Sequence, residues 1–320
     1  MVPSQKLNMK QAFALAELAV KKGNVVDALH LYNTILKQFP QHPQATRKLR
    51  ELKKDPPQDQ MNLMMHLIRS NRPDQAEHIG AALLRQFPAS VNLFNLLGAA
   101  LQRQKKLEQA AQIFDQAIAV APNYAPAYYN RGNILKELEL PKKALESYDR
   151  AIELKPDFID AYTNRGVLLN EMGQSEKAVE SYDRAVLLTP HSAVAYYNRG
   201  TALADSGLVD KAAADYKKAI SLDPRLAKAH YNLSAMKRYR TGDSQIGLME
   251  QIVSNQNVST PDRMRIGFAL GKAYEDIGEY DKSFYYYNLG NRLRKSTLIH
   301  DIKNTDAKIK KLKKIFKEFS

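Results

Sequence analysis

Apolar and small residues along this chain fall into helical runs, and the runs themselves return at a fixed interval. AYYNRGNIL at Ala127 is rewritten as AYTNRGVLL at Ala161 and AYYNRGTAL at Ala195, each 34 residues after the last. The three copies close on KALESYDRAIELKP, KAVESYDRAVLLTP and KAAADYKKAISLDP. Each copy therefore predicts two helices around a turn. A constant period of this length predicts stacked helix pairs, because one pair cannot bury its apolar side alone and a stack of three or more makes a continuous core.

When each copy is numbered from 1 to 34, position 8 is Gly132, Gly166 and Gly200, and position 20 is Ala144, Ala178 and Ala212. Position 24 is Tyr148, Tyr182 and Tyr216, position 27 is Ala151, Ala185 and Ala219, and position 32 is Pro156, Pro190 and Pro224. Two helices approach closely only where side chains are small, so Gly and Ala mark the crossing. Tyr at 24 and Leu at 11 (Leu135, Leu169, Leu203) fill what the small residues leave, and Pro stops the second helix. This pattern resembles the tetratricopeptide repeat, which implies an all-α, right-handed superhelical α-solenoid.

In chain order, residues 1–56 read as a divergent first repeat (Ala28 at position 20, Tyr32 at 24, Pro40 at 32) followed by a lone helix, ATRKLRELKK, and a DPPQDQ stop. The array then occupies 57–226 as repeats 57–90, 91–124, 125–158, 159–192 and 193–226. The first of these is degenerate, with Met64 at position 8. Residues 227–262 read as a repeat whose second helix is lost to a loop or two short helices, because turn residues stand where Ala and Tyr belong. Residues 263–297 restore the pattern with Gly271, Gly278, Ser283 and Tyr287. Residues 298–320 read as a Lys-rich amphipathic helix with one apolar seam, which would cap the solenoid or link it to a further domain.

Charge changes the picture less than its total suggests. The chain carries a formal +14, which would ordinarily point to nucleic acid or an anionic membrane. Residues 125–226, however, hold 14 basic and 15 acidic side chains, so the excess lies in the flanks and weighs against both partners. There is no cysteine and no apolar run long enough to span a membrane; the N-terminal segment reads as a helix of the fold rather than a signal peptide, and a cytoplasmic location is the default expectation.

The inner faces of stacked first helices form the candidate groove. Position 6 is Asn in four successive copies, Asn130, Asn164, Asn198 and Asn232, and position 5 is Tyr129, Thr163, Tyr197 and Tyr231. Asn133, Lys136 and Asn170 stand further along the same faces. An amide offers one acceptor and a pair of donors, which suits an extended peptide backbone. The arrangement resembles the asparagine ladder of protein O-GlcNAc transferases, which implies a polypeptide ligand. The alternative is that these Asn residues bond within the protein. Position 7, Arg131, Arg165 and Arg199, reads as surface residues or inter-repeat ion partners rather than ligand contacts.

Nothing in the chain reads as catalytic. The seven histidines show no metal-ligand spacing, and no phosphate loop or nucleophile elbow occurs, so neither metal nor cofactor is expected. The segment from GFALGKAYEDIGEYDKSFYYYNLGNRLRK onward resembles the stretch preceding the catalytic module of bacterial tetratricopeptide-repeat sulfotransferases. Since Ser320 comes before any donor-binding loop, that resemblance implies a substrate-recognition arm. A glycosyltransferase arm is the remoter form of the same reading. The expectation is a non-catalytic scaffold that holds a protein or extended peptide, with a sulfotransferase arm as the alternative.

Overall fold

The computed structural model describes residues 8–298, and every regular element among them is a helix. Eight helices begin in the N-terminal half: α1 (Met9–Lys21), α2 (Val25–Gln38), α3 (Pro43–Leu52), α4 (Gln58–Arg69), α5 (Pro73–Gln86), α6 (Val91–Arg103), α7 (Leu107–Val120) and α8 (Ala125–Glu137). Then follow α9 (Pro141–Leu154), α10 (Ile159–Glu171), α11 (Ser175–Leu188), α12 (Ala193–Asp205), α13 (Val209–Leu222), α14 (Ala227–Met236), α15 (Ser244–Ser254), α16 (Thr260–Asp276) and α17 (280–298). By compactness the chain divides into two units, before and after the bond between Leu168 and Leu169. The expected amphipathic helix at 298–320 lies, but for Leu298, outside the described residues.

Helix starts follow local chemistry. Asn8 and Gln11 form a reciprocal capping box at α1, and the Ser90 hydroxyl accepts from the Leu93 amide at α6. The Asp55 carboxylate accepts from the hydroxyl of Ser90 and from Asn92 (2.8 Å), so the Pro-rich stop after α3 is tied to the start of α6. Within most pairs the turn places its fifteenth residue in the left-handed region. Gly23, Gly173, Gly207 and Gly278 occupy that position, with φ between 72 and 81°, and Asn71, Lys105 and Glu139 adopt it without glycine at 57–60°.

The position 8 to position 24 contact behaves as the pattern requires. A Cβ on Gly132 would stand 2.6 Å from the Tyr148 ring, and one on Gly271 would stand 2.6 Å from Tyr287. The repeat at 57–90 keeps the same contact with its sides exchanged. Met64 supplies the bulk at position 8 and Gly80 the space at position 24, where a Cβ would meet the Met64 methyl at 2.7 Å. What reads as degeneracy is therefore a compensated swap.

One expectation is corrected. The repeat beginning at 227 does have a second helix, α15, of 11 residues against 14 in α9, α11 and α13. With Ile246 at position 20 in place of Ala, close approach to α14 gives way to packing of both α14 and α15 on α16. A polar link joins α14 to α15 instead: His230 Nδ1 lies 3.1 Å from Gln245 Nε2, while its Nε2 lies 2.9 Å from the carbonyl oxygen of Pro224, just before α14. α16 also starts early, at Thr260 rather than 263, with the Ser259 hydroxyl accepting from the Asp262 amide.

His230 is fully buried, and burial pushes its pKa below the usual 6.5. The neutral ring is thus the folded form, donating to Pro224 and accepting from Gln245. A base whose folded pKa is depressed contributes stability above its unfolded pKa and loses it as pH falls through the window below about 6.5. The thermal midpoint of the C-terminal unit should fall as pH drops from about 7 to about 5, and a His230→Gln variant should lose part of that dependence. Parallel melts of the two proteins across that range check it.

Candidate functional site

The predicted site residues sit on first helices: Tyr129, Asn130, Asn133 and Lys136 on α8, Asn164 and Asn170 on α10, Tyr197 and Asn198 on α12, Tyr231 and Asn232 on α14. Tyr231 is 43% exposed, whereas the others are half-buried. Position 6 falls on the exposed side of a first helix because the buried stripe runs through positions 3, 8, 10 and 11, such as Ala127, Gly132, Ile134 and Leu135.

In the N-terminal unit the Asn side chains are drawn together in a chain of bonds. Asn130 Nδ2 donates to Asn95 Oδ1 (3.2 Å), and Asn95 Nδ2 donates to the Tyr124 hydroxyl (2.9 Å). Asn164 Nδ2 donates to Asn133 Oδ1 (2.8 Å) and to the Tyr129 hydroxyl (3.1 Å). Asn133 Oδ1 also accepts from Tyr148, the buried tyrosine of position 24. Tyr129 packs against Phe158 at 5.0 Å, so its ring is a packing element as well as an acceptor. The amide nitrogens of Asn130 and Asn164 are thus engaged inside the protein. Their side-chain oxygens accept no bond among the described residues.

The C-terminal unit repeats the logic with other partners. Asn232 Nδ2 donates to the Tyr216 hydroxyl (3.1 Å), which itself lies 3.3 Å from Thr201 Oγ1 at position 9. Tyr197 packs against Tyr216 at 5.9 Å. Asn170 Nδ2 donates to Asp205 (2.7 Å), and its Oδ1 is buried without a partner among the described residues. Each bonded position 6 amide therefore reaches back to the preceding repeat. Asn130 reaches position 5, Asn164 positions 5 and 9, and Asn232 position 24.

Position 7 forms the second inter-repeat link, the ion-pairing one of the two readings its sequence offers. Arg131, Arg165 and Arg199 bond the position 25 carboxylates of the preceding repeats, Asp115 (2.7 Å), Asp149 (2.6 Å) and Asp183 (2.9 Å). Arg199 also donates twice to Asp215, at 2.7 and 2.8 Å, and this bond raises its already high pKa further. The guanidinium stays charged at any pH the fold survives.

Asn95 was not among the predicted site residues, yet it anchors Asn130. It stands at position 5, where the following repeats carry Tyr or Thr, and the missed signal is that an amide there can reach the next repeat's position 6. Among the described residues no three His, Asp or Glu side chains gather as a metal site, and no helix is long and apolar enough to cross a membrane.

These helix pairs, their Gly–Tyr crossings and their position 6 and position 7 links define an all-α repeat protein. Models of the tetratricopeptide repeat match residues 125–158 and 193–226, 147–180, and 63–126, and a TPR repeat model matches 168–207. Together they run unbroken from 63 to 226, just over half of the chain, which belongs to the tetratricopeptide-repeat family. Solved structures similar to it include MamA, 26% identical over 51% of this chain and 95% of that one, with a TM-score of 0.47. YrrB, described as a TPR protein with an unusual peptide-binding site, is 23% identical over 58% of this chain and 95% of its own, with a TM-score of 0.47. TTC0263, a thermophilic TPR protein of Thermus thermophilus, is 18% identical over 56% of this chain and 97% of its own, with a TM-score of 0.44. No curated protein matches the chain.

Proposed function

We infer that this protein is a non-catalytic scaffold that binds an extended segment of a partner protein along the first-helix faces of its repeats. The observation that carries the reading is the half-satisfied state of the position 6 amides. Asn130 and Asn164 spend their nitrogens on neighbouring side chains, which fixes their rotamers, while their oxygens accept no bond among the described residues. A row of held acceptors suits the N–H groups of a peptide backbone and costs little side-chain entropy on binding, since the rotamers are set beforehand. The Tyr231 ring, 43% exposed beside Asn232, adds an apolar contact. Asn198 holds the same position on α12, and Lys136 and Asn170 stand further along their own helices.

A variant carrying Asn130→Ala, Asn164→Ala and Asn198→Ala should keep its helical circular dichroism and lose capture of peptide ligands by the immobilised chain. Each lost internal bond costs about 1 kcal/mol, which leaves the fold standing. Undiminished capture by a folded variant would make the ladder purely structural.

A further inference from the structure

Away from the first-helix faces of the array, α15, α16 and α17 border a cavity of about 570 Å³ whose lining includes Gly247, Glu250, Arg263, Tyr285, Tyr286 and Leu289. Tyr285 and Tyr286 form two walls at nearly a right angle, their ring centroids 5.1 Å apart and their planes 79° apart. Tyr286 is backed by Tyr274, stacked at 5.5 Å. Both of those phenols donate to the same oxygen of Glu250, Tyr274 at 2.6 Å and Tyr286 at 3.3 Å, so the carboxylate locks the rings in place. Its other oxygen accepts no bond among the described residues. Burial, with Glu250 adding to it, pushes the Tyr286 pKa up to about 12, which keeps the phenol a neutral donor.

We propose that this corner binds a quaternary ammonium group, whether borne by a methylated lysine side chain or by a free choline-type molecule. Aromatic faces meeting at an angle beside a carboxylate attract a cation through the ring quadrupoles. The lining charges select the kind of cation. Glu250 is offset by Arg263, whose Nε is held by the Val253 carbonyl oxygen at 3.2 Å, so a compact, strongly hydrated ammonium gains no net ionic attraction to repay its desolvation. A methylated ammonium sheds water readily and draws on the rings. The fold supplies the room: a Cβ built on Gly247 meets nothing within 4 Å, and Tyr285 remains 57% exposed although its neighbour Tyr286 packs inward.

The test is a titration of the full chain, followed by the NMR signals of the tyrosine rings, with three probes: Nα-acetyl-trimethyllysine methyl ester, choline, and 3,3-dimethyl-1-butanol, the neutral counterpart of choline. Saturable shifts are expected with the two cations, and binding of the neutral alcohol should be weaker by about fivefold or more. Tighter binding of the lysine derivative points to a protein source, and tighter binding of choline to a small-molecule source. Tyr285→Ala removes a wall and Gly247→Leu fills the cavity from a position where the added side chain starts in open space. Both should abolish the shifts while the thermal melt stays cooperative. The proposal is overturned by the absence of saturable shifts, by equal binding of choline and the alcohol, or by wild-type binding in both folded variants. None of these residues belongs to the Asn rows, so failure here leaves the peptide-binding reading untouched.

Discussion

Replacing Tyr148 with alanine is expected to destabilise the N-terminal unit by about 3–5 kcal/mol. The ring is fully buried, it fills the space opened by Gly132, and its hydroxyl donates to Asn133. Removing it leaves a cavity that α8 and α9 cannot close, since Ala144 and Ala151 already hold that interface at its smallest residues. Tyr148→Phe should cost only about 1 kcal/mol, because Asn133 Oδ1 keeps its bond from Asn164. A valine at position 132 should be destabilising in the native chain and much less so beside Tyr148→Ala, where its methyls enter the vacated space. Urea unfolding followed by circular dichroism measures all of these. Comparable midpoints for Tyr148→Ala and the native chain would refute the role assigned to the crossing.

The second large effect is expected at Arg199. Its guanidinium bonds both Asp183 of the preceding repeat and Asp215 of its own, and Asp215 is 6% exposed. Arg199→Ala strands that carboxylate in the interior and should cost about 3 kcal/mol. Asp183 is more than half exposed, so Asp183→Ala should cost less than about 1 kcal/mol. Asp215→Ser falls between them, for the sister repeats carry buried Ser147 and Ser181 at that position and Arg131 bonds Ser147 directly. The order Arg199→Ala, Asp215→Ser, Asp183→Ala in urea midpoint, lowest to highest, is the measurable outcome.

The repeat frame was readable from the chain because its determinants are steric and local. Gly132 facing Tyr148 and Pro156 ending the second helix are choices that one side chain dictates to another at fixed spacing. The same frame misled where a rule was kept by exchange. Met64 reads as an error until Gly80 is seen to make room for it, and Ile246 reads as a lost helix although α15 forms and packs elsewhere. The candidate site was legible as a row of Asn residues but not as a set of bonds. Whether Asn164 reaches Asn133 and Tyr129 depends on how far one repeat advances on the last, a distance that no single repeat encodes. Asn95 escaped notice for that reason, as did the Tyr274–Tyr286–Glu250 group, whose members come from three helices.

The central claim, that the first-helix faces bind a partner segment through the position 6 amides, is tested most directly by following the side-chain amide signals of Asn130, Asn164, Asn198 and Asn232 by NMR while a captured peptide is added. Binding along these faces predicts saturable shifts in those amides, and weakened binding of the same peptide by the triple alanine variant, in which Asn232 alone of the four keeps its amide. Saturable binding that leaves all four amides unmoved would contradict it.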